Sequence, residues 1–132
     1  MPLLPKAILF DLDDTILSMG GREALVLSVV GEFAEEIAPI PVPEPAAEIE
    51  GAFLEFWAAP GRYAEWRTRV LEARTKVVER LFTERQLDLD LARRVALRFH
   101  ERRETDRDRL FPGAVATLEE LRRRGVRLAL VT

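Results

Sequence analysis

The sequence predicts an α/β fold in which a parallel sheet is interrupted by a long helical insertion. Three observations carry this. Residues 7–10 form a continuous apolar run, AILF, between Lys6 and Asp11, the pattern of a short strand buried on both faces in a parallel sheet. Residues 22–104 carry helical periodicity almost throughout. The last stretch, FPGAVATLEELRRRGVRLALVT, reads as one more helix followed by a second apolar strand. Strand, helices, helix, strand is a βαβ crossover with an insertion.

Along the chain, Val26, Val30, Phe33 and Ile37 fall four, three and four residues apart and define the inward stripe of a helix over residues 22–38. Pro39, Pro41, Pro43 and Pro45 alternate through PIPVPEP, which predicts a stiff extended connector closed to helix. A second helix is expected over residues 46–59 with Ile49, Phe53 and Phe56 or Trp57 inward, ended by Pro60 and Gly61. A third spans residues 63–85, with Val70, Arg74, Val77 or Val78 and Leu81 on one side, and a fourth spans 91–104 with Leu91, Val95 and Phe99 four apart. Beyond them, Pro112 suits a first helical turn, and Val115, Leu118 and Leu121 form an apolar face. Gly125 is placed to end that helix in a left-handed turn, and residues 126–131 form the second strand.

Composition narrows the function classes. The 132 residues are 48% hydrophobic and 33% charged, a one-domain chain with enough apolar content for a core. Twenty basic and 23 acidic residues are interleaved to a net charge of −3, so no basic face advertises nucleic acid. The absence of cysteine excludes disulfides and thiolate metal sites, and MPLLPK has neither the charge nor the apolar length of a signal peptide or membrane segment. A cytoplasmic protein without a membrane partner is expected.

The chemistry lies in KAILFDLDDT. In a parallel sheet the site lies outside the carboxyl ends of the strands, and Asp11 is expected as the first residue past the first strand. Asp13, two residues on, can face the same way while Leu12 turns into packing. Two carboxylates together suit an ionised nucleophile or metal ligand and an acid and base serving the leaving group and water. A divalent cation relieves their repulsion. Asp14 and Thr15 read as helix N-cap residues. Elsewhere, Asp88 and Asp90 in QLDLDLA follow a helix rather than a strand and are read as caps of the next helix. His100 is expected to be solvated, Arg74 to form a surface ion pair, and Trp57, Tyr63 and Trp66 to serve the core rather than a substrate pocket.

The segment ILFDLDDTIL resembles the first motif of the haloacid dehalogenase-like hydrolases, a strand followed by Asp-x-Asp-x-Thr. The final 22 residues, ending in Thr132, resemble the segment leading to that family's second motif, a strand closed by Thr or Ser. The resemblance implies a Rossmann-like core, of which this chain supplies the N-terminal part, with an inserted helical cap: core over residues 1–17, cap over 18–107, and core again over 108–132. It further implies that Asp11 takes the phosphoryl group as an aspartyl phosphate and that Asp13 protonates the leaving oxygen and then activates water. Asp11 and the backbone carbonyl of Asp13 help hold Mg²⁺, and Thr132 hydrogen-bonds a phosphoryl oxygen. The substrate class is a small-molecule phosphate ester. Family dehalogenases lack the second Asp, so Asp13 argues for phosphoryl transfer, which a phosphomutase would share; the reading from a different class is a non-catalytic fragment or interaction module. The third motif's Lys or Arg and the fourth motif's acidic pair lie later in such chains than Thr132. The chain alone is therefore expected to be inactive, to bind magnesium weakly, and either to self-associate through an unpaired edge of its first strand or to fold poorly, with the helical cap the better ordered part.

Overall fold

The computed structural model describes residues 3–131. The chain divides into two compact units. One joins the two ends of the chain, up to Gly21 and from Asp106; the other comprises Arg22–Thr105. The dividing points fall a few residues inside those expected for the insertion. The reason is a set of backbone bonds within the first unit, where Ser18 N–H donates to Arg109 O (2.6 Å) and Phe111 N–H to Ile16 O (3.0 Å).

In the first unit, β1 (Ala7–Asp11) and β2 (Arg127–Val131) pair in parallel, with Ala7 opposite Arg127 and Asp11 opposite Val131. Asp11 is thus the last paired residue of the strand rather than the first beyond it. Among the described residues the sheet has these two strands, and β1 alternates exposed and half-buried positions, with Leu9 70% exposed. The expectation of a strand buried on both faces is corrected: Ile8 and Phe10 are half-buried, while Ala7, Leu9 and Asp11 face outward. Following a 3₁₀ turn at Arg107–Arg109, the last helix of the chain, Ala114–Arg123, leads into β2. Its N-cap is Gly113, so Pro112 lies just before the helix rather than in its first turn.

Gly125 ends that helix as expected, with φ 81°. Its N–H reaches Arg122 O and the N–H of Val126 reaches Leu121 O, both at 3.0 Å. This bond pair satisfies carbonyls that the helical ladder leaves open, and it directs Val126, 5% exposed, inward.

The second unit is helical: α1 (Arg22–Glu32), α2 (Ala34–Ile37), α3 (Pro43–Ala58), α4 (Arg62–Trp66), α5 (Val70–Glu84) and α6 (Leu89–Thr105), so that the Ala114–Arg123 helix is α7. Packing runs in a closed cycle, α1 on α3, α3 on α5, α5 on α6 and α6 on α1. The shared core holds Val26, Val29 and Val30 of α1, Ile49 and Phe53 of α3, Val78 and Phe82 of α5, and Val95 and Phe99 of α6. The Phe53 and Phe99 rings lie 5.2 Å apart, a separation at which tilted aromatic pairs attract beyond their buried area.

Three expectations about these helices are corrected. The helix over residues 22–38 breaks at Phe33, whose N–H bonds Val30 O (3.0 Å) in a tighter three-residue turn before α2 restarts. The proline run is not an extended connector: residues 38–40 turn, with Ile40 N–H on Ile37 O (3.0 Å), and Pro43 and Pro45 open α3, Pro45 being buried. Prolines in a first turn lose nothing, since those N–H groups have no intrahelical acceptor. The helix over residues 63–85 is two helices separated at residues 67–69. Apolar spacing runs across that break from Trp66 to Val70, so periodicity does not reveal it.

Arginines lace the outside of this unit to glutamates. Arg98 donates to Glu32 (2.7 Å), Arg85 to Glu48 (2.8 Å) and Arg94 to Glu36. Hydrogen bonds from Arg98, Arg94 and Arg85 hold the Glu32, Glu36 and Glu48 carboxyls below their ordinary value of 4.5. Burial, and then the Arg74 charge, hold the His100 imidazole below its ordinary 6.5. For each group the folded state binds protons less readily than the unfolded chain. The stabilisation is therefore present above those ordinary values and is lost as pH falls through the lowered ones. Melting temperature should fall as pH drops from 6.5 to 3, and salt should shrink the carboxylate part, because these pairs are exposed. Thermal circular dichroism across pH at two ionic strengths checks this; a flat profile would refute it.

Candidate active site

Strand β1 delivers Asp11 to the end of the sheet because an alternating pattern in a parallel pair leaves the last residue's side chain at the strand's carboxyl edge. The chain then turns sharply. Ile16 and Leu17 N–H groups both bond Leu12 O at 3.0 Å, and Asp14 N–H bonds Leu17 O at 2.7 Å. Leu17 bridges to Asp13 on one side and to Leu110 on the other. Ile16, 7% exposed, anchors the turn, whereas Asp11, Asp13 and Asp14 are all exposed. A solvent-facing turn pinned by one apolar side chain lets a substrate reach both carboxylates.

The capping expectation for Asp14 and Thr15 is corrected, since among the described residues no α-helix begins before Arg22. Asp14 instead takes a left-handed conformation (φ 54°), and its Oδ1 accepts the Met19 N–H at 2.8 Å. Short polar side chains tolerate that region by such local bonds. Thr15 Oγ1 donates to Asp11 Oδ2 at 3.4 Å, a long contact that orients the Asp11 carboxylate. Arg109 Nε donates to Ser18 O at 3.2 Å, so a residue 91 positions away in sequence holds the end of the turn. No local pattern could have pointed to Arg109; its role comes from the chain closing on itself.

Thr132 lies outside the described residues; in sequence it follows Val131, the partner of Asp11 in the sheet. The other residues weighed from the sequence lie in the helical unit. Asp88 caps α6 by accepting the Asp90 N–H (2.9 Å), while Asp90 pairs with Arg94 (3.0 Å) rather than capping. His100 is not simply solvated: its Nδ1 lies 2.7 Å from Arg74 Nη1. Arginine can only donate, so Nδ1 accepts and the ring is neutral with its proton on Nε2. Arg74 also pairs with Glu104 (2.9 Å) and is itself largely buried. Trp66 is 7% exposed and Tyr63 is 59% exposed, so the core expectation holds for Trp66 and fails for Tyr63. Trp57 is half-buried, edge-on to Phe56 at 5.1 Å.

A strand ending in one carboxylate, a pinned turn offering a second, and a partner strand paired in parallel as far as Val131 form the geometric frame. Against it, a family model described as haloacid dehalogenase-like hydrolase matches residues 5–132. The chain belongs to the haloacid dehalogenase-like hydrolases. No curated protein and no solved structure matches it. In this haloacid dehalogenase-like chain the match covers both β-strands and the helical unit between them.

Magnesium is the metal that the family reading implies. Among the described residues no group of three His, Cys, Asp or Glu side chains could hold a metal ion. The donor chemistry nevertheless suits it. The Asp11 carboxylate and the Asp13 backbone carbonyl are hard oxygen donors in an exposed turn, and magnesium is commonly held by one or two carboxylates, with water and substrate phosphate completing its shell. Among the described residues no helix is long and apolar enough to cross a membrane.

Proposed function

We propose that this hydrolase is a magnesium-dependent phosphatase acting on a small phosphate ester through an aspartyl phosphate on Asp11. One observation supports the reading above others: two exposed carboxylates, Asp11 and Asp13, stand at and just beyond the carboxyl end of a strand paired in parallel. A reaction that needs a single nucleophilic carboxylate has no use for the second. Phosphoryl transfer uses both.

An Asp11 carboxylate oxygen attacks phosphorus, and the bond from phosphorus to the ester oxygen breaks. Asp13 donates a proton to the departing oxygen, so the alcohol leaves neutral. Asp13, now ionised, takes a proton from water, and the hydroxide oxygen attacks the same phosphorus. Inorganic phosphate leaves and the Asp11 carboxylate is regenerated. Thr15, whose hydroxyl lies 3.4 Å from Asp11 Oδ2, is placed to favour attack by the other carboxylate oxygen. When bound by Asp11 and the Asp13 carbonyl, magnesium supplies positive charge that lets an anionic carboxylate approach an anionic phosphate. Thr132 is assigned to hydrogen-bond a phosphoryl oxygen, and the helical unit to the role of cap.

The test is hydrolysis of p-nitrophenyl phosphate by the complete protein, with and without magnesium, in parent and Asp13→Asn forms. Asp13→Asn should slow turnover by roughly 10²–10⁴-fold, the usual worth of a general acid and base. Parent-like turnover in that variant, or activity indifferent to magnesium, would count against the assignment.

A further inference from the structure

The helical unit contains a cleft of about 760 Å³ between the start of α5 and the far end of α6. Its floor is apolar where Val70 and Leu71 line it, and its rim is charged. The three acids on that rim each have an arginine partner. Arg69 reaches Glu72 (3.4 Å), Arg93 reaches Glu79 (2.7 Å) and Arg74 reaches Glu104 (2.9 Å). Two rim cations, Arg67 and Lys76, form no ion pair among the described residues. Lys76 instead sits 5.2 Å from the centre of the Trp66 ring, on which Arg69 also rests at 4.3 Å. That ring is almost fully buried, so it is a fixed platform holding two cations at the cleft's edge.

With the rim acids neutralised, the surplus charge of the cleft is positive and is carried by Arg67 and Lys76. Helix α5 adds to this field: its first turn lines the cleft, and its N-cap Arg69 provides no side-chain bond to the turn's N–H groups. Two unpaired cations match a dianion, and the apolar floor suits a carbon skeleton attached to it.

We propose that this cleft is a binding site for a small phosphorylated molecule, held by Arg67 and Lys76 with its carbon body over Val70 and Leu71. The site is built wholly from residues 67–104 and involves neither Asp11 nor Asp13. The proposal does not depend on the phosphatase reading.

Titrating the isotope-labelled full chain with inorganic phosphate at pH 7.5, at constant ionic strength and beside a chloride control, tests it by amide chemical shifts. Saturating shifts at Val70, Leu71 and Glu72 are expected with phosphate and not with chloride. Arg67→Gln and Lys76→Gln should each weaken binding at least about threefold, as loss of one charge contact at an exposed site does. Arg67 is exposed and unpaired, so its variant should melt like the parent. In Asp11→Asn the cleft should bind phosphate unchanged, which separates this outcome from any result on hydrolysis. Equal shifts with chloride, shifts confined to residues 11–18, or full binding in both charge variants would overturn the proposal.

Discussion

Asp11→Asn should lower p-nitrophenyl phosphate hydrolysis by the complete protein at least about 10⁴-fold, since removing a nucleophile abolishes the covalent route while binding contributions remain. An amide nitrogen or oxygen does not displace an alkoxide from phosphorus at neutral pH. The variant should otherwise resemble the parent. Asp11 is exposed, and among the described residues its side chain accepts one bond, the 3.4 Å contact from Thr15, which an asparagine oxygen also accepts. Stability should therefore change by no more than about 0.5 kcal/mol, as for other surface substitutions. Activity lost with the fold intact assigns the nucleophile. Retained activity would remove Asp11 from that role, and lost activity with a collapsed melting curve would make it a structural residue.

Trp66→Ala should produce the largest stability effect among the residues weighed as pocket formers, roughly 3–5 kcal/mol. The indole is 7% exposed, packs edge-on against Phe56 at 5.9 Å, and carries Arg69 and Lys76 on its ring. Truncation leaves a void at the joint between α4 and α5 and frees two cations whose positions the ring sets. A loss of that size lowers melting by upward of roughly 10 °C in a unit of this length. Tyr63→Ala, at a position 59% exposed, is the control and should barely change it. Similar small effects from both would show that Trp66 does not act as a core residue.

The first strand, the turn bearing Asp11 and Asp13, and the helix-to-strand ending at Gly125 were legible because each is specified locally. An apolar run between charged residues, two carboxylates two positions apart, and a glycine after a basic helical turn carry their own conformational preferences. The helical stripes were legible for the same reason: Val26, Val30, Ile49, Phe53, Val95 and Phe99 all reach the core. Helix ends were harder. Pro43 and Pro45 fit a first turn as well as an extended connector, and only the burial of Pro45 within the bundle separates the two. The break at residues 67–69 is invisible in the period because apolar side chains stand four apart on either side of it.

The turn after β1 shows the division most directly. Local chemistry specified that Asp11 and Asp13 stand two positions apart at and just beyond a strand end, since spacing along a chain is a covalent fact. Whether Asp14 and Thr15 would open a helix or close a loop was settled by bonds to distant residues. Arg109 holds Ser18 and Phe111 pairs with Ile16 across more than 90 residues, and within the turn they fix, the Met19 N–H occupies the Asp14 carboxylate. In the helical unit, the same kind of long-range contact set a half-buried His100 against Arg74, a partner 26 residues earlier. Periodicity and motif report the free energy of a segment with itself, whereas partners brought from across the chain contribute terms of equal size that no local window contains.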